Sequence, residues 1–223
     1  MTPYYSDDHV TIYHGDCRDI IPALTYDVVV TDPPYGRNWR QGEIRGRTRN
    51  ASSAGIQNDA DTAARDEVLE LCADHPVVAF GDLMLAPPSR TKLTCVYHKA
   101  DAAAGIRGAI GGVRRDCEAI YLIGPGWGSG IGGRSSLFRT HRQITGAAGV
   151  VAANGGHPHT KPDDVMGAIL AICPPGVILD PFMGSGSTLR AAKDLGRKAI
   201  GIEVEEQYCE IAAKRMAQEV LPL

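Results

Sequence analysis

Val28-Val29-Val30-Thr31 is an unbroken run of β-branched residues with no polar alternation, and it runs directly into Asp32-Pro33-Pro34. A strand of that composition hides both faces, which calls for helices above and below it and so for a mainly parallel sheet. The two prolines can continue neither a ladder nor a helix, and the chain must turn out at Asp32. One short stretch thus sets both the layered α/β class and an exit at the carboxyl edge of the sheet, where open folds of this kind bind ligands.

The rest of the chain repeats that alternation. Strands are expected at Val10–Tyr13, Val77–Gly81, Leu93–Tyr97, Glu118–Ile123, Gly176–Asp180 and Lys198–Glu203. Helical spacing covers Cys17 to about Leu24, Thr62–Asp74, Pro162–Cys173, Ser187–Leu195 and Glu205 to about Glu219, with a short helix or turn from Asp82 to Arg90. Strands and helices in turn predict one doubly wound sheet over residues 1–223, a single domain. The segment 36–61, rich in Gly, Ser, Asn and Arg, has no apolar period and reads as a long functional or mobile loop. Ala100–Val113 carries no assignable pattern, and six glycines between Gly124 and Gly133 mark an exposed connection.

Composition narrows the classes. At 43% hydrophobic and 22% charged, the chain suits one compact domain. No apolar run approaches a bilayer span and the start lacks the charge and apolar pattern of a leader, so no membrane partner and a cytoplasmic location are expected. Six separated cysteines without a Cys-x-x-Cys pair read as reduced thiols rather than zinc ligands. His157 and His159 have the spacing of a metal pair but no third ligand, and no metal is expected. The net charge of −3 rules out a uniformly basic coat, yet positive charge is concentrated. Arg37, Arg40, Arg45, Arg47 and Arg49 stand against Glu43 alone, and the acid-free stretch from Ala119 to Pro162 holds Arg134, Arg139, Arg142 and Lys161. These two segments are candidate polyanion contacts, or else solvated loops.

Two motifs carry chemistry. The Asp32 carboxylate and the Pro33 carbonyl, held by the stiff backbone of Pro33-Pro34, can accept hydrogen bonds from one NH2 group while Tyr35 covers a flat ring. A strand end closed by a Pro-Pro turn with a solvated acid is the plainer reading of the same residues. The second motif, Asp180-Pro181-Phe182-Met183-Gly184-Ser185-Gly186-Ser187-Thr188, is a strand, a tight glycine turn and a helix start whose amides favour negative charge. Glu203, seventeen residues after Gly186, ends the next strand with an acid placed for ribose hydroxyls. Leu189 stands where a dinucleotide fingerprint wants a third glycine, which disfavours a nicotinamide enzyme, and no Walker lysine follows.

Together the motifs resemble the S-adenosylmethionine-dependent DNA amino-methyltransferases. Asp32-Pro33-Pro34-Tyr35 is similar to their catalytic motif and Phe182-Met183-Gly184-Ser185-Gly186 to their cofactor loop. His157-Pro158-His159-Thr160-Lys161-Pro162 is similar to the His-Pro-Thr-x-Lys-Pro segment before the cofactor strand, and Gly15-Asp16 to the Gly-Asp that faces the adenine of the cofactor. The order of motifs is that of the permuted β group. The resemblance implies a seven-stranded, Rossmann-like methyltransferase sheet with one antiparallel strand. It also implies S-adenosylmethionine as cofactor, held by Asp16, Cys17, Lys161, Asp180, Pro181, Phe182, Gly184, Ser185, Gly186, Ser187, Thr188 and Glu203. Two departures stand out: His159 replaces the usual Thr, and a target-recognition region has room only in residues 125–156.

The activity so implied is methylation of the N6 amine of a flipped-out adenine in double-stranded DNA, with Asp before Pro-Pro-Tyr leaning toward adenine. Cytosine N4 is the nearest alternative, followed by an RNA amine methyltransferase and a non-catalytic nucleic-acid-binding protein. Arg37, Arg40, Arg45, Arg47, Arg49, Arg134, Arg139 and Arg142 are the expected DNA contacts. A restriction-modification role and a stand-alone role, as in a phage, remain equally compatible, as do a monomer and a homodimer.

Overall fold

The β-branched runs become strands and the periodic segments become helices. In the computed structural model, residues 1–36, 60–99, 110–113, 116–130, 132–140 and 161–218 are described. The elements are β1 (Tyr5–Ser6), β2 (Val10–His14), α1 (Cys17–Ile20), β3 (Val28–Thr31), α2 (Ala63–Leu71), β4 (Val77–Gly81), β5 (Thr91–His98), β6 (Cys117–Ile123) and β7 (Leu137–Arg139). After them come α3 (Asp163–Leu170), β8 (Ile178–Asp180), α4 (Ser187–Asp194), β9 (Ala199–Glu203) and α5 (Glu206–Ala217).

One sheet carries them in the order β1-β2-β9-β8-β3-β4-β6-β5-β7. The strands β2, β9, β8, β3 and β4 are parallel neighbours, and β6 lies antiparallel between β4 and β5. The seven longer strands are thus the expected mixed sheet with one reversed strand. Two short flanking strands extend it: β1 pairs antiparallel with β2, and β7 pairs parallel with β5. Two or three residues hold too little pattern to be read as strands in advance.

Alternate residues of β3 feed the two faces of the sheet. Val28 and Val30 pack with Val165 and Ile169 of α3, Leu189 and Ala192 of α4, and Cys209 and Met216 of α5. Val29 packs on the other side with Ile20 of α1, Val68 and Leu69 of α2, and Leu179 of β8. Both faces being covered is the physical reason the run needs no polar residue. The segment Asp82 to Arg90 is a turn, not a helix, and Arg90 (φ +63°) points back to donate to the Leu69 and Ala73 carbonyls that α2 leaves open at its end.

Of the basic loop 36–61 only Gly36, Ala60 and Asp61 are described, so Arg37, Arg40, Arg45, Arg47 and Arg49 lie outside the described residues. So do Arg142, Trp39, His157 and His159, and the recognition segment is described only at 125–130 and 132–140. All six cysteines are unbridged, with Cys17, Cys72, Cys95 and Cys209 buried. Among the described residues no helix is long and apolar enough to cross a membrane.

Candidate active site

Parallel strands deliver their carboxyl ends to one edge, and here that edge is lined with acids. Asp16 follows β2, Glu203 ends β9, Asp180 ends β8, Asp32 follows β3 and Asp82 follows β4. Because β6 runs the other way, it contributes its first residues instead, and the pairing of Ala119 with Gly81 brings Glu118 to the same edge.

The two sequence motifs meet at the junction of β3 and β8, which are direct neighbours. The Thr31 hydroxyl donates to Asp180 Oδ1 at 3.0 Å, and the Phe182 amide donates to the same oxygen at 3.2 Å. The acid that opens the glycine turn is therefore fastened to the residue preceding Asp32. Asp180 is 2% exposed and braces the turn rather than presenting an open carboxylate. Burial pushes its carboxyl up to about 7, against hydrogen bonds from Thr188, Thr31 and the Phe182 amide, with Asp32 adding to the rise.

A raised folded-state carboxyl favours the protonated native protein, so its contribution to stability is full below the ordinary value of 3.8 and is lost as pH rises through about 7. Wild-type stability is expected to fall between those limits relative to Asp180→Asn, in which the titration is gone. Urea unfolding at a series of pH values checks this, and parallel curves for the two proteins would contradict it.

At the turn itself, Gly184 and Gly186 take positive φ (50° and 81°), and Gly186 caps α4 without any side chain over the helix amides. Glu203 accepts from the Gly184 amide (3.0 Å) and the Glu205 amide (2.9 Å), which holds the acid beside the turn. Burial raises the Glu203 carboxyl, opposed by those amide hydrogen bonds. Asp16 caps α1 by accepting from the Arg18 amide and pairs with the Arg18 guanidinium. The side chains of Cys17, Ser185, Ser187 and Thr188 are buried, and that of Thr188 is spent on Asp180.

Around Asp32 the arrangement is tighter. The Tyr35 hydroxyl donates to Asp32 Oδ1 at 2.7 Å, and the Lys161 ammonium donates to Oδ2. Lys161 stands just before α3, with its side chain 11% exposed, and also pairs with Glu118 Oε2 at 3.4 Å. Its ammonium lies 4.6 Å from the centre of the Phe80 ring and 5.9 Å from that of Tyr35. Burial works against the charge on Lys161, but Asp32 and Glu118 outweigh it and hold the ammonium above its usual range. The resemblance names Lys161 among the cofactor contacts; its partners here are the acids at positions 32 and 118.

Glu118, Phe80 and Lys99 carry no motif signature, and sequence reasoning passed over them. The signal that could have found Glu118 is its place as an acid opening an otherwise apolar strand. Trp127 covers its own loop, with the indole N–H donating to the Ile123 carbonyl at 2.9 Å. Arg139, at the end of β7, is exposed. Arg134 donates to the Ala171 carbonyl at 2.7 Å, beyond the end of α3, so it sits about 12 Å of helix away from Lys161. Away from the acid-lined edge's centre, His98, Asp116 and Cys117 bring donor atoms within 4.8 Å of one another where β5 and β6 meet.

The edge has the chemistry that S-adenosylmethionine requires. The amides of the first turn of α4 suit a carboxylate, and Glu203 keeps lone pairs for ribose hydroxyls.

The DNA methylase family matches residues 113–214. The type II methyltransferase M.ScaI of Streptomyces caespitosus is 44% identical over 69 residues, which are 30% of this chain and 23% of that protein. "Putative methylase YubD" of Escherichia coli K12 is 29% identical over 217 residues, covering 91% of this chain and 88% of that one. Among solved structures, the M1.HpyAVI–SAM complex has a TM-score of 0.61 at 23% identity, covering 92% of this chain and 99% of that one. The cytosine-N4-specific PvuII methyltransferase has a TM-score of 0.61 at 15% identity, covering 99% and 90%. At these identities the two structures speak for the fold alone, while the family match spans the glycine turn and the strands on either side of it. The sequence matches, the shared fold and the meeting of both motifs on one sheet edge agree: over residues 113–214, just under half of its length, the chain is similar to the DNA methylases, and its sheet is similar to those of M1.HpyAVI and the PvuII methyltransferase.

Proposed function

We propose that this protein methylates the exocyclic N6 amine of an adenine that has left the DNA helix. The observation that carries the reading is the fastening of Thr31 to Asp180, which sets Asp32 beside the glycine turn. An amine of this kind is a weak nucleophile because its lone pair is delocalised into the ring. Hydrogen bonds from its two N–H groups to the Asp32 carboxylate and the Pro33 carbonyl favour a pyramidal nitrogen with the lone pair localised. Bound at the turn, S-adenosylmethionine supplies an electrophilic methyl group on sulfur. The chain provides position and fixed charge, with no covalent enzyme intermediate.

Tyr35 has two tasks in this reading. Its hydroxyl orients Asp32, and its ring offers a stacking face to the flipped base. Burial and the neighbouring Asp32 keep the phenol proton in place, well above the ordinary tyrosine range. The backbone carbonyls of Pro34, Pro181 and Phe182 shape the space between the turn and the amine in this reading. Arg139 and the basic segments outside the described residues are the proposed phosphate contacts, as is Arg134 at greater distance.

Asp32 before Pro-Pro-Tyr supports adenine, but the same donors and acceptors serve cytosine N4. Nucleosides from DNA treated with the protein and separated by liquid chromatography and mass spectrometry are expected to contain N6-methyladenine. N4-methylcytosine in its place would overturn the choice of base.

A further inference from the structure

Asp32 is served by two donors before any amine arrives, and the stronger of them is a full cation. A buried ammonium resting on one carboxylate would draw that charge away from the incoming N–H groups. In this structure the ammonium is shared. Glu118, the second residue of β6, faces it at 3.4 Å, and the other oxygen of Glu118 meets Lys99 at 2.5 Å. Charges therefore alternate along Lys99, Glu118, Lys161 and Asp32, ending at the hydroxyl of Tyr35.

Stability does not account for this row. Lys161 and Glu118, the two least exposed members of the row, lose hydration on burial, and apolar side chains of similar volume often serve as well or better. Glu118 Oε2 is also buried without a hydrogen bond, its contact to Lys161 being an ion pair only. The fold has no evident need of it, since the strands on both sides pair through their backbones.

We propose that Glu118 is a positioning residue for methyl transfer, dividing the Lys161 ammonium between two carboxylates so that Asp32 keeps enough unshared charge to accept the substrate amine. This rests on the reading of Asp32 given above. Glu118 does not touch the reacting atoms and acts through Lys161.

The test is a double-mutant cycle on the full chain, read as the single-turnover rate of methyl transfer from S-adenosylmethionine to unmethylated plasmid DNA. Glu118→Gln keeps the size and the acceptor oxygen but removes the charge; it is expected to slow transfer by about tenfold, equivalent to about 1.4 kcal/mol, with cofactor and DNA dissociation constants within about twofold of wild type. Glu118→Asp, which retains the charge, is expected to recover part of the rate, and Glu118→Met, which also removes the charge, serves in the cycle if the Gln variant does not fold. In a Lys161→Met background the substitution at 118 is expected to have no further effect. An unchanged rate in Glu118→Gln, or the same loss in both backgrounds, would overturn the inference while leaving the methyl-transfer reading intact. An inactive wild type would overturn that reading and the inference with it.

Discussion

Asp32→Ala is expected to lower the rate of methyl transfer by on the order of 10³ while leaving the cofactor dissociation constant within a few-fold of wild type. The side chain is the acceptor that two donors, Tyr35 and Lys161, already hold in place at the carboxyl end of β3. Its loss removes the group that would localise the amine lone pair and leaves a buried ammonium with Glu118 as its remaining acid partner. The glycine turn is held by different bonds, which involve Thr31, Phe182 and Glu203. Rapid-quench transfer assays and calorimetric titration of the cofactor separate the two effects. A near-normal rate would refute the assigned role.

Gly201→Ala is expected to be the most damaging substitution away from the reacting atoms. Gly201 lies in β9, between β2 and β8, so its backbone cannot withdraw. A Cβ there would collide with the Met183 sulfur and stand 2.7 Å from Leu189 Cδ2, both buried. Met183 belongs to the glycine turn and Leu189 to the helix it opens, so relief of the clash pushes the turn outward. Overpacking of this kind costs about 1–3 kcal/mol. Cofactor affinity is expected to fall by at least about tenfold, more than DNA affinity does. Thermal unfolding with and without S-adenosylmethionine checks the pair of effects, and an unaltered melting temperature with normal cofactor binding would contradict it.

The parts of the fold legible in the sequence are those where both neighbours and faces leave one choice. Val28–Thr31 had to be buried on both sides, and Pro33-Pro34 had to end it. The resemblance places Asp180 among the cofactor contacts, and burial with three hydrogen-bond donors makes it a brace. What the sequence could not reveal depends on strand order. Glu118 comes to the acid-lined edge because β6 is reversed, and Lys161 meets it across 43 positions of chain by that same reversal. Neither fact has a local signature. β7 was missed for a different reason: three residues in a Gly- and Ser-rich segment pair with β5 through backbone bonds that any side chains would permit.

Methyl transfer as proposed requires one pocket shared by two motifs that are about 150 positions apart in the chain. An adenosine tethered through its N6 atom to the sulfur position of an S-adenosylhomocysteine analogue reports on that directly, because it must occupy both parts at once. Calorimetry is expected to show it binding at least about tenfold more tightly than the untethered analogue, with the gain lost in Asp32→Ala. Affinity no greater than that of the untethered analogue, in a protein that binds the latter normally, would place the amine site elsewhere and contradict the account.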